Sequence, residues 1–310
     1  MHCLVTGGSG YLGRALMPAL RQRSVRVHAL AHRDADLPMA DTVVRGDLSD
    51  PARAVPLDGI DVVVHLAGIA HQRADARAYR RLNVDGTVAL ARQAVNAGVE
   101  RFIFVSSVKA QRASAQTGGD EADRDYDLGY DLDYGTSKLL AEQALQEVCA
   151  GSAMRLFIVR PALIYDTELT GHLQWLQRWV SLGLPRPPAG GARSMVGRAD
   201  LVALLVALLR TDVTLAQPVI ATDGQQYSTR RLHAALVRAS GRNVRLPSPP
   251  AASWRFAAAC VDRLRGEPVG ALWQRLTGEE RYEGDDLSGF LNAAPQTFEE
   301  VLGLRQEDAP

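Results

Sequence analysis

The sequence predicts an α/β fold: a doubly wound parallel sheet followed by a smaller, mostly helical C-terminal lobe. Three observations predict it. Short runs of Val, Ile, Leu and Phe alternate with stretches of helical period through the first half of the chain, as "HCLVTG", "VRVHAL", "DVVVHLAG" and "RFIFVSS" illustrate. No short hairpin joins one run to the next, so neighbouring strands must be connected by crossovers and run parallel. A glycine-rich turn, "TGGSGYLG", separates the first run from the first helical stretch, where an open α/β sheet meets its ligand.

Taken in order, "YLGRALMPALRQR" has helical spacing, with Pro18 expected to distort it. "VRVHAL" and "TVVRGDL" read as the second and third strands, and "DVVVHLAG" as the fourth. "AYRRLNVDGTVALARQAVNAG" is a helix that stops at Gly98, a residue suited to the left-handed cap. "RFIFVSS" is a strand, "YGTSKLLAEQAL" an amphipathic helix and "MRLFIVRP" another strand. Beyond about residue 165 the alternation breaks. "LGLPRPPAGGARS" is Pro/Gly-rich loop, and helical patterns follow at 199–210, 228–240, 251–265 and 268–277, with one short strand at "PVIAT". The expected division is a dinucleotide-binding domain over 1–165, to which parts of 195–225 return, and a substrate lobe over 166–310. That lobe is expected over the carboxyl edge of the sheet.

Composition narrows the function classes. Of 310 residues, 46% are hydrophobic and 23% charged, enough apolar material for a sizeable core. Lys plus Arg and Asp plus Glu both number 35, so no basic excess directs the chain to nucleic acid or an anionic membrane. The longest apolar run, "LVALLVALL", is shorter than the roughly 20 residues that span a bilayer, and reads as a buried helix. Three scattered cysteines form no metal-ligand spacing and fit a reducing compartment. The start, "MHCLVTGG", carries no secretory pattern, so the chain is expected to be cytoplasmic.

Gly8, Gly10 and Gly13 form G-x-G-x-x-G, and Gly7, Gly10 and Gly13 form G-x-x-G-x-x-G. Glycine allows the tight turn and lets backbone N–H groups approach a pyrophosphate at the positive end of a helix. The pattern follows a strand and opens a helix, the context that makes it a Rossmann-type dinucleotide site. An NAD site usually places an acid at the end of the second strand, on the ribose diol. Here Ala31, His32 and Arg33 stand there. Arg33 could hold a 2′-phosphate or be a solvated loop charge, and Asp34 or Asp36 could swing in to serve NAD. The reading favours NADP(H) over NAD(H). Asp47 and Leu48, at the end of the third strand, either bracket the adenine or form a turn.

Ser107 ends a strand at the carboxyl edge, and Tyr134 and Lys138 lie four residues apart, on one face of a helix. An isolated phenol has a pKa of about 10, too high for a base at neutral pH. An ammonium one turn away and an oxidised nicotinamide would favour the phenolate and lower that value. Ser107 would hold the substrate oxygen within reach.

Together "TGGSGYLG", "HLAG", "NVDGT", "FVSS", "YGTSK" and "VRPALIY" resemble the extended short-chain dehydrogenase/reductase family. More narrowly, the chain is similar to NAD(P)-dependent nucleotide-sugar epimerases, 4-ketoreductases and dehydratases. The resemblance implies that Ser107, Tyr134 and Lys138 are catalytic, with Lys138 also on the nicotinamide ribose. It places Gly7, Gly10, Tyr11, Leu12, Gly13, Leu66, Ala67, Gly68 and Asn83 around the coenzyme. Val108 and Lys109 stand where a dehydratase of this family has Asp-Glu, which disfavours dehydration. "GGARSMVGRADLV" resembles a stretch of bacterial enzymes acting on UDP-N-acetylhexosamines, which puts Arg193 on the diphosphate. His172 stands where an Asn often meets substrate phosphate, and Lys109 either touches substrate or is a solvated charge. Trp175 and Trp179 read as core packing. The implied function is hydride transfer at C4 of a nucleotide-activated, UDP-hexosamine-like sugar, with no metal. A ketone reductase of a non-sugar substrate and a non-catalytic NADP-binding regulator are the alternatives, and retention of both Tyr134 and Lys138 argues against the regulator. Relatives commonly dimerise through the helix around 77–97 and the helix that carries Tyr134. A homodimer is therefore expected, with Ala94, Ala141 and Leu145 on the outward faces.

Overall fold

A computed structural model describes residues 1–32, 36–70, 75–117, 133–212, 217–241, 249–291 and 293–304. The first strands and helices follow the predicted alternation: β1 (His2–Thr6), α1 (Tyr11–Gln22), β2 (Arg26–Ala31), β3 (Thr42–Arg45) and β4 (Val62–His65). The helix expected next is built in three pieces: α2 (Ala76–Tyr79), a π-helical turn (Arg80–Gly86) and α3 (Thr87–Asn96). Then come β5 (Arg101–Val105), α4 (Val108–Thr117), α5 (Tyr134–Cys149), β6 (Arg155–Pro161), β7 (Leu163–Tyr165), α6 (Gly171–Ser181) and β8 (Arg193–Gly197). The chain continues through α7 (Arg198–Leu208), β9 (Val219–Ala221), β10 (Gln226–Tyr227), α8 (Thr229–Ala239), α9 (Ala251–Leu264), α10 (Ala271–Thr277), α11 (Ser288–Leu291) and α12 (Phe298–Val301). Pro18 lies inside α1 without ending it. Gly98, at φ +74°, turns the chain out of α3 as its position in the sequence predicts.

Contacts divide the chain into two compact units. The first comprises Met1–Pro161, Leu201–Ala221 and a short segment from Gly289. Its sheet has seven strands in the order β3-β2-β1-β4-β5-β6-β9, all parallel. The order reverses between β1 and β4, where Val5 pairs Ala29 on one side and Val64 on the other. A cleft at such a reversal is the ligand site of a doubly wound sheet. Residues of β4 and β5 are buried throughout, because helices cover both faces, and the two strands are accordingly almost unbroken apolar runs. Leu4, Val63, Phe102, Phe104, Leu145 and Ile158 belong to one core cluster. The apolar run at 201–209 is indeed a buried helix, with Leu201, Leu204, Leu205 and Leu208 fully enclosed. Among the described residues no helix is long and apolar enough to cross a membrane.

Ala94, Ala141 and Leu145 do not face outward: all three are fully buried in that cluster. The sheet takes the apolar stripe of α3 and α5, and the exposed positions are polar, among them Arg92, Asn96, Gln143, Gln146 and Glu147. The apolar argument for a dimer through these residues therefore fails.

The second unit comprises Ala162–Asp200, Thr222–Ser288 and the residues from Ala293 on. It contains a three-stranded sheet, β10-β8-β7, which the sequence did not predict. Leu163 pairs Met195 in parallel and Gln226 pairs Ser194 antiparallel. Tyr165, Tyr227 and Phe298 lie fully buried there, with Trp175 and Trp179 packed against the cluster as predicted. The hydroxyls of Tyr165 and Tyr227 donate to the Asp223 carboxylate at 2.6 and 2.7 Å, so that polar group is satisfied inside the core.

In the first unit α5 is fastened to β6 by charge. Arg160 donates from Nε to both oxygens of Glu142, at 3.0 and 3.2 Å, and Glu142 is almost fully buried. Removing one partner of such a pair leaves the other charge desolvated. Glu142→Ala is expected to lower the unfolding free energy by about 3–5 kcal/mol, measured by urea denaturation; a loss below about 1 kcal/mol, the value of an exposed pair, would show that Arg160 regains water.

Candidate active site

The glycine turn leads from β1 into α1. Gly7 has φ +70°, and a Cβ there would lie 2.8 Å from the Ala67 nitrogen. A Cβ on Gly13 would lie 2.6 Å from the Gly8 Cα. Gly10 forms the N-cap of α1 with no side chain over its N–H groups. Beside this turn opens a cleft of about 380 Å³, lined among others by Gly7, Ser9, Ala31, Asp47, Leu48 and Ala67. Backbone this bare of side chains at a helix N-terminus, next to an open cleft, fits a dinucleotide. Leu12 is buried and Tyr11 half-buried at the start of α1.

At the far side of the cleft, Asp47 accepts from the Ser49 amide at 2.8 Å and the Ser49 hydroxyl at 2.7 Å. Its other oxygen lies 3.0 Å from His32 Nε2. The Ser49 hydroxyl does most to hold the Asp47 carboxyl below its usual range. Ala31 ends β2 with no acid on it. Arg33 and Asp34 lie outside the described residues, and Asp36 is exposed.

Ser107, Tyr134 and Lys138 come together where β5 ends. Asp133 caps α5 by accepting from the Thr136 amide at 2.8 Å, which makes Tyr134 its first residue. Ser107 is buried, its Oγ accepts from the Lys109 amide at 3.2 Å, and it stands close enough to the Tyr134 phenol to lower its value. Lys138, 4% exposed, donates from Nζ to the Val105 carbonyl at 2.9 Å and lies 4.6 Å from the Phe104 ring centroid. Burial lowers the Lys138 ammonium to about 8, with Glu142 opposing the fall. The phenol behaves differently from the sequence-based expectation. Burial pushes Tyr134 up to about 12, against the opposing effect of Ser107. The ammonium is engaged by Val105 and Phe104, and in the protein alone desolvation outweighs any help it gives the phenolate.

Lys109 is exposed and its Nζ lies 5.9 Å from the Tyr134 ring centroid, so it borders the phenol. Asn83, 1% exposed, braces the site. Its Oδ1 accepts from the Ile69 amide at 2.8 Å, and its Nδ2 donates to the Ile69 carbonyl at 3.1 Å and to Ser137 Oγ at 3.0 Å. Ser137 in turn donates to the Tyr134 carbonyl at 2.8 Å. A Cβ on Gly68 would come within 3.0 Å of Asn83 Oδ1 and 3.5 Å of Lys138 Nζ. Leu66 and Ala67 both donate their amides to Thr6 Oγ1, at 3.2 and 3.1 Å. Tyr79, which raises the Tyr134 value slightly further, and the Ser137 strut were not singled out by sequence.

The second unit, taken by itself, brings Arg193 and His172 together. Arg193 is 7% exposed and donates from Nη2 to the Arg275 carbonyl at 2.8 Å, while its Nε has no partner among the described residues. His172 Nε2 is also buried without one among the described residues. Burial lowers His172 to about 4, helped by the charges of Arg193 and Arg275. The His172 ring stacks on Trp175 at 5.9 Å. Arg275 was missed by sequence, because nothing in its local pattern links it to a strand 82 residues away.

Gly13→Ala is expected to weaken coenzyme binding by about tenfold or more, the cost of forcing one carbon into packed backbone. Titration of the purified variant checks this; unchanged affinity would place the dinucleotide elsewhere.

The model of the NAD dependent epimerase/dehydratase family matches residues 3–214. A UDP-glucose 4-epimerase from Vibrio cholerae is 32% identical, the match covering 98% of this chain and 93% of the relative. A ceramide reductase from Caulobacter vibrioides is 33% identical over 79% of this chain and 73% of its own. Among solved structures, MoeE5 in complex with UDP-glucuronic acid and NAD superimposes with a TM-score of 0.71 at 21% identity, covering 99% of this chain and 98% of that one; it shares the fold. With its seven-stranded Rossmann-type sheet and its glycine turn, this chain belongs to the NAD-dependent epimerase/dehydratase family.

Proposed function

We propose that the protein transfers hydride at C4 of a nucleotide-activated, UDP-hexosamine-like sugar, as an epimerase or 4-ketoreductase, with Tyr134 as acid and base. The observation that carries this reading is the placement of Tyr134 beside buried Ser107 at the carboxyl end of β5, with the Lys138 ammonium one turn further along α5 and bonded to the Val105 carbonyl at 2.9 Å. The 32% identity to a UDP-glucose 4-epimerase supports the sugar nucleotide.

The first unit takes the dinucleotide and the second the substrate. A nicotinamide coenzyme held at the turn of Gly7, Gly10 and Gly13 would supply the hydride acceptor for oxidation and the hydride donor for reduction. Ser107 holds the C4 oxygen by hydrogen bond, and Tyr134 gives that oxygen a proton in reduction or removes one in oxidation. Lys138 keeps one N–H on Val105 and turns its remaining donors to the ribose, which the missing side chain of Gly68 leaves room to approach. In the second unit a diphosphate gives the orphaned Arg193 Nε and His172 Nε2 their missing partners, since a buried donor without an acceptor is costly. The coenzyme assigned is NADP(H): Ala31 and His32 replace the usual acid at the end of β2, and Asp47 is already engaged by His32 and Ser49. The NAD held by MoeE5 weighs the other way, so titration with both decides, and tighter binding of NAD overturns the assignment.

The function is tested by incubation with each coenzyme and a panel of UDP-hexoses and UDP-N-acetylhexosamines. Net loss of nicotinamide absorbance marks a reductase, and a new C4 epimer at constant absorbance an epimerase. Turnover of a long-chain ketone with no UDP-sugar activity would favour the non-sugar reading, which the ceramide reductase relative supports.

The direction of the Tyr134 shift sets the pH dependence. A phenol raised to about 12 is protonated throughout the neutral range. Reduction, which uses it as acid, is expected to stay flat from about pH 6 to 9, whereas oxidation, which needs the phenolate, rises by up to about tenfold per pH unit. Stopped-flow rates of the two half-reactions check this; an oxidation rate independent of pH that also survives Tyr134→Phe would remove Tyr134 as base.

A further inference from the structure

His65 ends β4, is fully buried, and has no part in the chemistry above. Its two ring nitrogens are both engaged: Nδ1 lies 2.7 Å from Thr6 Oγ1, and Nε2 lies 2.8 Å from Thr87 Oγ1. The protons of these groups can be assigned by counting donors. The Thr87 hydroxyl donates its single hydrogen to the Asn83 carbonyl at 2.8 Å. It can meet His65 only as an acceptor, so Nε2 carries a proton. Thr6 Oγ1 accepts the Ala67 amide and shares the Leu66 amide with the Thr6 carbonyl, and among the described residues its own hydrogen finds no other side-chain acceptor. Its own hydrogen is left for Nδ1, which must be bare. A single arrangement satisfies every group: neutral imidazole, protonated at Nε2. A second ring proton would point at the Thr6 hydroxyl and take away the acceptor of its own hydrogen. It would also add a cation near the Lys138 ammonium, and burial together with that ammonium already lowers His65 to about 3.

The bonds on either side of the ring run to two different places. On one side Thr6 precedes Gly7 and fixes the Leu66 and Ala67 amides, against which the bare Gly7 Cα packs. On the other, Thr87 grips the carbonyl of Asn83 in the π-helical turn, and the Asn83 side chain reaches through Ser137 to the Tyr134 carbonyl. Such turns are often found at functional positions. Between the two, the His65 ring stacks on Phe104 at 5.7 Å, the ring that also carries the Lys138 ammonium.

We propose that His65 is a positioning residue whose Nε2–H tautomer ties the coenzyme turn to the strut that sets Tyr134, so that the two are held as one unit. This rests on the coenzyme and Tyr134 roles assigned above. The two nitrogens have separable duties: Nδ1 serves the coenzyme turn and Nε2 the catalytic helix.

Substitutions that mimic one nitrogen at a time test it. His65→Phe keeps a flat ring and cuts both bonds; coenzyme Kd is expected to rise about tenfold and kcat at saturating coenzyme to fall about tenfold, the scale of one lost buried hydrogen bond at each end. His65→Asn places an amide where Nδ1 was and should restore coenzyme affinity to within about threefold while kcat stays low. His65→Gln reaches the Nε2 position and should show the opposite split. Thr87→Val, a smaller perturbation should the His65 variants fold poorly, is expected to lower kcat alone. Nitrogen-15 NMR of the imidazole should report the Nε2–H tautomer without titration from about pH 5.5 to 8, well above the lowered value and across the usual His range. An Nδ1–H tautomer, a titration in that interval, or variants that lower only the melting temperature would each overturn the proposal. If the wild-type protein turns over no UDP-sugar, the function proposed above fails, while the tautomer and the coenzyme affinities still decide this one.

Discussion

The Lys138 ammonium bonded to the Val105 carbonyl is the contact on which the arrangement of this protein turns. A cation that is almost fully buried has to find acceptors, and here it finds the last carbonyl of β5 and the face of Phe104. That requirement pulls the start of α5 onto the end of β5, and everything else follows from helical geometry. Tyr134 is one turn earlier on the same face, so it arrives beside Ser107, the second residue past the strand. One turn later on the same face, Glu142 fastens α5 to β6 through Arg160. The placement of Tyr134 beside Ser107, to which we assign proton transfer, is therefore a by-product of how the helix is docked.

The same economy holds around the coenzyme cleft. Three segments approach one another there with almost no side chains between them: Gly7 against Ala67, Gly13 against Gly8, and Gly68 against Asn83. Contact at that range leaves backbone amides exposed to an anion and removes the room that a side chain would need. Hydroxyls on Thr6, Thr87 and Ser137 and the carboxamide of Asn83 then tie the segments together inside the protein, each with its hydrogen-bonding capacity engaged. Buried networks of this kind fix geometry only when every member is satisfied. This one is satisfied with His65 neutral.

Much of this was legible in the sequence, for physical reasons that can be named. A strand buried on both faces must be apolar throughout, so "VVVH" and "RFIFV" announce a parallel sheet. Gly7, Gly10 and Gly13 are local in sequence because the turn they serve is local, and Tyr134 and Lys138 share a helical face. Other features depend on the fold. Thr6, His65 and Thr87 come from two strands and a helix, and Arg275 meets Arg193 across 82 residues. The sheet of β7, β8 and β10 was missed because its strands are three, five and two residues long and lie beside a Pro/Gly-rich loop. The outward placement of Ala94, Ala141 and Leu145 failed because periodicity finds an apolar stripe without saying what covers it, and the sheet does. The desolvation of the phenol was hidden for a related reason: the neighbouring ammonium is visible in sequence, and the depth of burial that raises Tyr134 in the protein alone is not.

The most direct measurement is turnover of Tyr134→Phe at saturating coenzyme with a UDP-sugar that the wild-type protein accepts. If the phenol moves the proton, kcat falls by about 10²–10⁴ while coenzyme affinity stays within about threefold of wild type, since the ring and the Lys138–Val105 contact remain. Undiminished turnover in that variant would contradict the role of Tyr134 and with it the reaction assigned to this site.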